Sequence, residues 1–556
     1  MKKIKYTHYC IILIASILMF AGCSKEFIER PPQDAIVDGN FYKTNDQVLA
    51  STALLYSKVW FDYNDKASYN LGDFRGGVAY SAYNDQDNVR FNTTGLTPDN
   101  GFAWNAFYNV VTQSNLAIQN INRYATVEVS ATVKKHAIAE ARFMRALAYR
   151  YLVMNWNEVP IVTDSQAKLN DITVRKNTTE SVWRFITNEM RAVSADLTTT
   201  PIQTGRLTKM AAEAMLARFY LTRAGVGQSG SRNQVFLDSA KYFAKRVIDS
   251  NQYRLLGSYA DLFTYPYDNQ TESIFELQWV FTATEWGTQN SVPAYLAYSP
   301  EIANGDGWGG DKSATLWMLN KYAGLTTNGR TLDQRLKSTF MLPGAYYPEI
   351  SQNVVIDGKS TKQKMVFPLV GTDANFASIK KYVTGQNGDN GQQAAQQRYG
   401  HDTYMMRYAE VLLIYAEATI GNAGQTSDAL ALQYFNAVHT RAGLPLNPGP
   451  LTFENVFDER IVEFAMESMA WYDLVSYHYY APSQAEDIVA SQYRGGFFVE
   501  PDKMPNPTKW EITDTSWWDF KYVTQSTAAA NFILPIPAAE LSQAPNLQLQ
   551  AVDYYK

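Results

Sequence analysis

Cysteine is nearly absent from this chain, which has two cysteines among 556 residues. Cys10 lies in the N-terminal apolar segment, and no cysteine follows Cys23. A mature chain that begins near Cys23 has one thiol at most, so it can form no internal disulfide and no cysteine-based zinc site. Histidine is scarce too, with five residues, and none forms an HExxH motif. These absences argue against a disulfide scaffold and against a zinc hydrolase.

A basic surface and the common catalytic motifs are missing as well. The formal net charge is −5, so nucleic-acid binding lacks its main physical support. The sequence has no GxSxG elbow, no phosphate-binding GxxxxGK[ST] loop, and no GxGxxG motif after a predicted strand. We therefore expect no cofactor, no metal centre in the catalytic sense and no nucleic-acid partner. Whether a structural calcium is bound stays open at this point.

Long apolar runs are limited to one segment at the N-terminus. Three lysines among the first five residues precede the apolar run 11–20, and small residues follow it. A ten-residue run is too short to span a bilayer, which takes about 20 residues, so residues 1–22 are predicted to be a signal peptide. "FAGC" at 20–23 resembles a bacterial lipoprotein box, with phenylalanine where leucine is usual. This predicts lipidation of Cys23 and a lipid-anchored segment over 23–40.

Helical periodicity dominates the rest of the chain in three places, each with small residues on one face. Apolar residues recur at i, i+4, i+7 and i+11 in Ala137, Ala141, Met144 and Ala148, in Met210, Ala214, Ala217 and Leu221, and in Ala409, Leu413, Ala416 and Ile420. The predicted partner helices are 104–121, 239–249 and 428–441. Pairs of this kind favour tetratricopeptide-like units. Gly225 and Gly443 stand where the residue after a helix end is expected.

The region from 251 to about 400 differs in composition from the helical parts. It is rich in Gly, Asn, Asp and Gln with scattered tryptophans, which indicates loops and short strands. We therefore predict an N-terminal helical region over 41–250, a variable loop-rich region over 251–400, and a C-terminal helical region with an extended tail over 401–556. The tail segment "ILPIPAAELSQAPNLQ" is expected to pack against the body.

Three glutamates, Glu459, Glu463 and Glu467, follow each other at intervals of four residues on a predicted helix. Like charges at this spacing are mildly destabilising unless cations neutralise them. The structural interpretation is that arginines of neighbouring helices do so, with Arg441, Arg407 and Arg142 as candidates. A catalytic role for these carboxylates is the weaker interpretation, and we predict that the chain is not an enzyme.

Aromatic residues are abundant, at 14% of the chain. Flat rings with hydrogen-bonding groups around them suit sugars, which present apolar C–H faces and a rim of hydroxyls. The segments 72–91 and 304–311 combine aromatic, glycine and polar residues in this way, although most aromatic side chains are expected to be buried. The candidate ligand-binding residues are Trp308, Tyr83, Trp286, Phe74, Arg75, Tyr80, Asn84, Asp85, Asp306 and Asp311.

Many stretches of the chain, in order, resemble the SusD/RagB family of outer-membrane nutrient-binding lipoproteins of Bacteroidetes. They include "WNAFYNVVTQSNLAIQNI", "AEARFMRALAYRYLVMNWNEVPIV", "GRLTKMAAEAMLARFYLTRAG", "MRYAEVLLIYAEA", "AVHTRAGLP", "DERIVEFAMESMAWYDLV" and "LPIPAAEL". The resemblance covers essentially the whole chain. One departure is Ser468 and Ala470 before Trp471, where family members usually carry a glycine and an arginine, and it bears on one buried salt bridge.

The resemblance implies a mainly α fold, with a tetratricopeptide-like helical-pair scaffold and a loop-rich, mixed ligand-binding insertion. It implies cell-surface binding of an oligosaccharide or polysaccharide without cleavage. It further implies a lipid anchor in the outer membrane, facing the exterior, and delivery of the ligand to a TonB-dependent transporter of the SusC type. Two alternatives stay open: a peptide ligand, as in the RagB branch, and a lipid-anchored glycosidase.

Overall fold

The computed structural model describes residues 41–168, 171–324, 331–368, 376–492, 494, 498–499, 510–511 and 529–554. The predicted signal peptide, the lipidation site Cys23 and the anchored segment 23–40 lie outside the described residues and stay predictions. The predicted region boundaries near 250 and 400 also stay predictions.

Long helices make up most of the body. They are α1 (Asn45–Ala53), α2 (Pro98–Tyr124), α3 (Ala131–Trp156), α4 (Thr179–Asp196), α5 (Lys209–Arg223), α6 (Gln234–Asp249), α7 (Tyr408–Ile420), α8 (Ala429–Arg441), α9 (Phe453–Glu463), α10 (Ala470–His478) and α11 (Pro482–Ser491). None of the helices in the described ranges is both long enough and apolar enough to cross a membrane.

Capping side chains explain where several of these helices begin. A side-chain oxygen just before the first turn accepts a hydrogen bond from a backbone N–H of that turn in α1, α3, α4, α5, α6, α8 and α9. Each such cap satisfies a donor that has no partner within the helix and is typically worth about 1 kcal/mol. Thr44 and Thr452 form full capping boxes with Gln47 and Asn455. The local sequence therefore fixes the helix starts.

The helices pack as a serial array, in which each member from α2 to α8 contacts the next along the chain. The three predicted pairs, α2 with α3, α5 with α6, and α7 with α8, are confirmed. All residues of the three predicted small-residue faces are buried. Small side chains on those faces let the helix backbones approach closely, which is the packing of tetratricopeptide-like units. The predicted fold class is therefore confirmed.

Many aromatic side chains fill the interior between these helices. Phe107 of α2 stacks on Tyr151 of α3 with ring centroids 5.1 Å apart, and Trp104 meets Trp156 edge-on at 5.2 Å. All four rings are at most 2% exposed. Aromatic pairs in these geometries add about 0.5–1.5 kcal/mol beyond the burial of their area. Much of the high aromatic content is therefore core, and an exposed ring is the informative exception.

The two glycines expected after helix ends behave differently. Gly443 has a φ of +84°, the left-handed backbone that glycine adopts most readily after a helix. Gly225 does not have a left-handed backbone. A Cβ atom there would lie 2.9 Å from the ring of Tyr480, so close packing against the end of α10 requires glycine at this position.

Strands are short and lie mainly between α6 and α7. They are β1 (Ala79–Ser81), β2 (Ser273–Leu277), β3 (Lys312–Ala314), β4 (Phe340–Met341), β5 (Tyr346–Ile356), β6 (Lys359–Val366), β7 (Ser378–Ile379), β8 (Ala394–Ala395), β9 (Arg398–Tyr399), β10 (Thr403–Arg407), β11 (Gln425–Thr426), β12 (Leu451–Thr452), β13 (Phe498–Val499) and β14 (Trp510–Glu511). A four-stranded sheet has the order β1-β3-β7-β4, and each neighbouring pair in it is antiparallel.

Short helices and single helical turns lie between the longer elements, and several of them fall in the loop-rich region. The short α-helices are Gln86–Arg90, Ser165–Lys168, Val292–Leu296, Leu316–Leu319, Arg335–Thr339 and Ala538–Gln543. The 3-10 turns are Leu54–Tyr56, Lys58–Trp60, Ala260–Phe263, Pro300–Ile302, Asp389–Gly391, Gly421–Ala423, Ala529–Phe532 and Pro545–Gln548. Two π-helical turns, Tyr63–Ala67 and Asn70–Phe74, lie between α1 and β1.

The C-terminal tail packs against the body as expected. The backbone N–H of Leu534 donates to the carbonyl of Asn155 at 2.7 Å, and the Asn100 side chain donates to the carbonyl of Pro535 at 2.8 Å. Leu534 and Leu547 are buried. The tail is less extended than predicted, because the short helix Ala538–Gln543 follows Pro537. It therefore covers the C-terminal end of α3.

Candidate functional site

The two segments predicted to carry the ligand site meet through the pairing of β1 with β3. Ala79 pairs with Ala314 and Ser81 with Lys312, so the loop after β1 lies beside the loop before β3. The backbone N–H of Ala82 donates to the carbonyl of Asp311 at 2.7 Å. The segments are far apart in the chain, and this short antiparallel contact brings them together.

The carboxylate of Asp311 links the two loops. Its Oδ2 accepts hydrogen bonds from the hydroxyl of Ser81 at 2.8 Å and from the backbone N–H of Asn84 at 3.2 Å. Its Oδ1 lies 2.9 Å from Nζ of Lys312. Burial raises the pKa of Asp311, but Lys312 and these hydrogen bonds outweigh burial and leave the pKa below its ordinary value. Asp311 is therefore ionised at neutral pH and orders the loop that carries Tyr83 and Asn84.

Trp308 projects from the second of these loops and is 57% exposed. Its backbone N–H donates to the carbonyl of Ala294 at 3.0 Å, and its indole N–H donates to the carboxylate of Asp306. A Cβ atom at Gly307 would lie 2.5 Å from the backbone of Ser299, and one at Gly309 would lie 2.2 Å from the carbonyl of Leu296. Glycine at both flanking positions thus permits the close backbone contact that holds the ring at the surface.

Trp286 is a second partly exposed ring, at 49%. It lies edge-on to Phe61 at 5.6 Å, and the guanidinium carbon of Arg398 lies 5.6 Å from its centroid. Tyr399, next to Arg398, exchanges two backbone hydrogen bonds with Asn290 and accepts a hydrogen bond on its hydroxyl from Asn304 at 3.0 Å. These contacts connect Trp286 to the loop of Trp308.

Tyr83 is the most exposed of the candidate rings, at 66%. Asp85, two residues further on, lies 3.0 Å from Nζ of Lys66, which also contacts Asp99 at 3.0 Å. Burial lowers the pKa of Lys66, but the two carboxylates outweigh that effect and raise it to about 12. The ammonium group of Lys66 is therefore charged at neutral pH and paired with Asp85 and Asp99. We call Tyr83, Trp286 and Trp308 the aromatic surface.

Sequence reasoning missed Tyr295 and Asp65, and Tyr295 lies close enough to Asp65, Asp85 and Asp306 for their charges to act on its hydroxyl. Tyr295 is half-buried on the short helix Val292–Leu296, and burial together with the charges of Asp65, Asp306 and Asp85 raises the pKa of its hydroxyl. Burial raises the pKa of Asp65 to about 6, although the hydroxyl of Ser291 donates to it. The run "YNDKASYN" around Asp65 has the same aromatic–polar alternation as 72–91 and was the available signal.

Three of the ten candidate residues are corrected by the structure, because they are buried. Phe74 is 0% exposed and contacts Tyr69 edge-on, and Tyr80 is 2% exposed in the middle of β1. Arg75 is 2% exposed, between the rings of Phe91 and Trp471, each 4.8 Å from its guanidinium carbon. These side chains support the fold beneath the loops and cannot contact a ligand at the surface.

The glutamates of the C-terminal region form a structural ion network. Glu463 accepts hydrogen bonds from Arg407 at 2.8 Å, from Arg441 at 2.5 Å and from Arg335 at 3.0 Å. Burial raises the pKa of Glu463, but the three arginines outweigh burial and hold it well below its ordinary value. Glu459 pairs with Arg335 and His439, and Glu467 with Arg407 and Lys381.

Two details of the sequence-based prediction for these glutamates are wrong. Arg142 does not take part in the network, because it pairs with Glu189 at 2.8 Å. Glu467 does not continue the helix of Glu459 and Glu463, because α9 ends at Glu463. The structural interpretation holds for the remaining partners, Arg407 and Arg441.

Asp268, Glu276 and Asp402 are a group of carboxylates that could hold a cation. Each has an oxygen within 4.8 Å of the others. Asp402 Oδ1 accepts a hydrogen bond from the backbone N–H of Trp279 at 2.7 Å, and Glu276 Oε1 has no partner among the described residues. Burial raises the pKa of Glu276 to about 7 and that of Asp402 well above its ordinary value. Oxygen ligands of this kind suit Ca²⁺.

This carboxylate group lies behind the aromatic surface. Trp279 contacts Phe61 with ring centroids 6.4 Å apart, and Phe61 in turn contacts Trp286. Asp402 is therefore connected to Trp286 of the aromatic surface by its hydrogen bond with Trp279 and by the packing of Trp279 on Phe61. A cation held by the three carboxylates would stabilise the segments that carry them and would take no part in ligand chemistry.

Comparison with known proteins gives matches over nearly the whole chain. The model of the SusD family matches residues 271–555, and a second family model, described as starch-binding associating with outer membrane, matches residues 41–221. A SusD-like protein of Bacteroides ovatus is 33% identical over 556 residues and covers 98% of each chain. SusD-like protein P2 of Formosa agariphila is 25% identical over 500 residues, covering 84% of this chain and 90% of its own.

Solved structures agree with this result. One, described as a crystal structure with xylogluco-oligosaccharide, has a TM-score of 0.79 at 31% identity and covers 92% of this chain and 99% of its own. Surface glycan-binding protein A of Bacteroides thetaiotaomicron, in complex with laminarihexaose, has a TM-score of 0.65 at 18% identity, covering 90% and 98%. At that identity the second likeness shows the fold alone.

Proposed function

The chain belongs to the SusD family, and we propose that it binds a neutral oligosaccharide or polysaccharide at the aromatic surface without cleaving it. The bound glycan is delivered to a TonB-dependent outer-membrane transporter of the SusC type. The protein would be held at the outer face of the outer membrane by lipid on Cys23.

The observation that carries the proposal is the exposure of Trp308, Trp286 and Tyr83 on connected loops, in a protein whose other aromatic rings are largely core. Each ring offers a flat face on which the C–H groups of a sugar can stack. Asn84, Asp306 and Arg398 supply hydrogen-bonding groups beside them. A sugar chain needs this combination, because its pyranose rings are apolar on their faces and polar at their edges. A related protein at 31% identity has been solved with xylogluco-oligosaccharide, which supports a glycan ligand.

A peptide ligand is the second candidate, and the sheet edge argues against it. Extended peptides commonly bind by adding a strand to an exposed sheet edge. The four-stranded sheet nearest the aromatic surface ends at β1, which has three residues, all buried. β1 thus offers no free edge at which a peptide backbone would pair.

Glycosidase activity is the third candidate. Asp65, whose pKa of about 6 is in the range of a general acid, is the carboxyl group that would have to serve. Asp85 and Asp311 are paired with lysines, and the pKa of Asp311 lies below its ordinary value, which disfavours it as a proton donor. Incubation of the protein with a polysaccharide that it binds should leave the chain length unchanged, and any shortening would revive this candidate.

Isothermal titration with a panel of neutral polysaccharides and peptides tests the proposal. Trp308→Ala, Trp286→Ala and Tyr83→Ala should each weaken glycan binding by about 1–3 kcal/mol, by analogy with the stacking of bases on aromatic side chains. The control is Tyr242→Ala, because Tyr242 is 55% exposed on α6 and belongs to the helical array. Binding of peptides but of no glycan, or equal affinity in all four variants, would contradict the proposal.

The lipid anchor and the transporter need a separate test in cells. Cys23→Ala should release the protein from the membrane fraction while its glycan affinity stays unchanged, because Cys23 precedes the folded body. The transporter should co-purify with the wild-type protein in mild detergent. Membrane retention of the variant would contradict the anchor, and co-purification of no TonB-dependent transporter would contradict the delivery step.

A further inference from the structure

Arg150 of α3 is a buried cation that has no hydrogen-bond acceptor in the described part of the chain. It is 2% exposed, and its Nε and Nη1 are fully buried without a partner. Its guanidinium carbon lies 5.0 Å from the ring centroid of Tyr151 and 4.8 Å from that of Tyr472. Contacts with ring faces offset only part of the cost of burying an unpaired charge.

The charges around Arg150 do not cancel. Arg218 pairs with Glu410, and Arg460 pairs with Asp473 at 2.8 Å and approaches Glu410 at 3.4 Å. Next to them, Arg232 pairs with Glu417 at 2.6 Å. Together with Arg150, these pairs form an interior cluster of four guanidinium groups and three carboxylates, which leaves an excess of one positive charge. Proteins rarely bury a charge without a counter-charge, because the desolvation cost is several kcal/mol.

A cavity lies among these residues. Its volume is about 20 Å³, and its charged lining residues are Arg150, Arg218, Arg460, Glu410, Glu417 and Asp473. Each of the three carboxylates is already paired with an arginine, Glu417 with Arg232, which does not line the cavity. The Nη1 of Arg460 also lacks an acceptor within the described ranges. A cavity of this size holds one water molecule or one monatomic ion and is too small for a carboxylate or phosphate group.

We propose that this cavity binds a monatomic halide anion, chloride in ordinary buffers, held between Arg150 and Arg460. The anion supplies the missing negative charge and accepts hydrogen bonds from the guanidinium N–H groups that have no acceptor in the described part of the protein. A water molecule in the same place could accept hydrogen bonds but would leave the positive charge uncompensated. Halide binding is therefore favoured over hydration.

The position of the anion gives it a structural role that does not depend on the glycan ligand. Arg150 and Arg218 belong to α3 and α5, whereas Glu410, Arg460 and Tyr472 belong to α7, α9 and α10. The anion would join the N-terminal helices to the C-terminal helices at one point in the core. Its loss should lower the stability of that junction and leave the aromatic surface unchanged.

Crystallography with bromide tests the site directly. Crystals of the wild-type protein grown with sodium bromide in place of chloride should give an anomalous peak between Arg150 and Arg460 at the bromine absorption edge. Density in the cavity with no anomalous signal at high bromide concentration would identify water and overturn the proposal. This measurement needs no variant, so it stays decisive if substitution of Arg150 prevents folding.

Thermal unfolding gives an independent test in solution. At constant ionic strength, replacing sodium gluconate by sodium chloride should raise the unfolding midpoint, and the rise should follow the logarithm of chloride concentration once the site is filled. Arg150→Met should lose this chloride dependence, because the side chain is similar in length and carries no charge. Arg254→Met is the matched control, since Arg254 is exposed. Equal midpoints in the two salts for the wild type would contradict the proposal.

Discussion

The ammonium group of Lys312 donates a hydrogen bond to the backbone carbonyl of Trp308 at 3.2 Å. Lys312 is 3% exposed and also lies 2.9 Å from the carboxylate of Asp311 and 3.9 Å from that of Asp85. One buried cation thus contacts the two loops that carry Tyr83 and Trp308. The positions of these two rings depend on Lys312 through a backbone carbonyl and two carboxylates.

We predict that Lys312→Met weakens glycan binding and destabilises the fold. Removal of the ammonium group leaves Asp311 without its cation, and an unsatisfied buried partner costs about 1–3 kcal/mol or more when it is charged. Glycan affinity, measured by titration calorimetry, should fall because the Trp308 loop loses its anchor. Lys359→Met is the control, since Lys359 is exposed on β6. Unchanged affinity in Lys312→Met would show that the loop is held by its backbone contacts alone.

Acidic groups around the aromatic surface predict a preference for uncharged glycans. Asp62, Asp65 and Asp306 lie in or beside the surface, and the pKa of Asp65, which burial raises to about 6, still leaves this group mostly ionised at neutral pH. A carboxymethylated derivative of a bound neutral glycan should therefore bind more weakly at low salt. The difference should shrink as added salt screens the repulsion.

A hydroxyethyl derivative of the same glycan distinguishes the effect of the substituent's charge on affinity from the effect of its size. It adds a substituent of similar size without a charge, so its affinity should stay near that of the parent glycan. If both derivatives bind equally weakly, steric exclusion and not charge limits the ligand. Tighter binding of the carboxymethylated glycan would make Arg398, beside Trp286, the dominant charge of the surface.

The carboxylates Asp268, Glu276 and Asp402 predict a pH dependence of stability. Burial raises the pKa of Glu276 to about 7, above the ordinary value near 4.3 that the unfolded chain has. A raised carboxyl pKa stabilises the fold fully below the unfolded pKa, and this contribution is lost as the pH rises through about 7. Burial also raises the pKa of Asp402. The ring of His401 is the neighbouring titratable group, 2.7 Å from the carboxylate of Asp268.

Thermal unfolding between about pH 5 and about pH 8 measures this effect. The midpoint should fall with rising pH in the presence of a chelator, and Ca²⁺ should restore it most strongly at the alkaline end, where the carboxylates repel each other. Glu276→Gln should flatten the pH dependence and reduce the response to Ca²⁺. A wild-type midpoint that is the same at both ends of the range, with and without Ca²⁺, would contradict the prediction.

Gly72 is predicted to tolerate no side chain. A Cβ atom there would lie 2.2 Å from Oγ and 2.4 Å from Cα of Ser468. Because a backbone atom is involved, Gly72→Ala should destabilise the protein by about 1–3 kcal/mol. Gly257→Ala serves as the control, since a Cβ atom at Gly257 would meet nothing within 4 Å and its φ is not left-handed. Equal unfolding midpoints for the two variants would show that the chain around Ser468 relaxes at little cost.

The helical array could be predicted from the sequence because its determinants are local. In α3, α5 and α7, small and apolar residues recur at i, i+4, i+7 and i+11, and α3 and α5 also begin at a side-chain cap. These features specify a helix without contacts to distant residues. Gly443 follows the end of α8 as predicted for the same reason. Ser468 has a left-handed φ of +60°, and its hydroxyl donates to the carbonyl of Ser68 at 2.6 Å.

The candidate site was predicted only in part, because composition does not tell which way a side chain faces. Phe74 and Arg75 share the aromatic–polar pattern of the loop that carries Tyr83, yet the π-helical turn Asn70–Phe74 turns this part of the segment into the core. Asp65 and Tyr295 reach the surface from other parts of the chain. They meet where the short helix Val292–Leu296 packs against the π-helical turn Tyr63–Ala67, a long-range contact that no local pattern reveals.

The pairing of Ala79 with Ala314 has an evolutionary consequence. It joins the loops of Tyr83 and Trp308 to each other through two short strands that are not part of the helical array, so the loops can change in length and sequence while the array keeps its packing. Substitutions in the loops alone can therefore change which polysaccharide the protein binds in the course of evolution. The helices, which such changes leave untouched, can meanwhile keep the close backbone packing that their small residues permit.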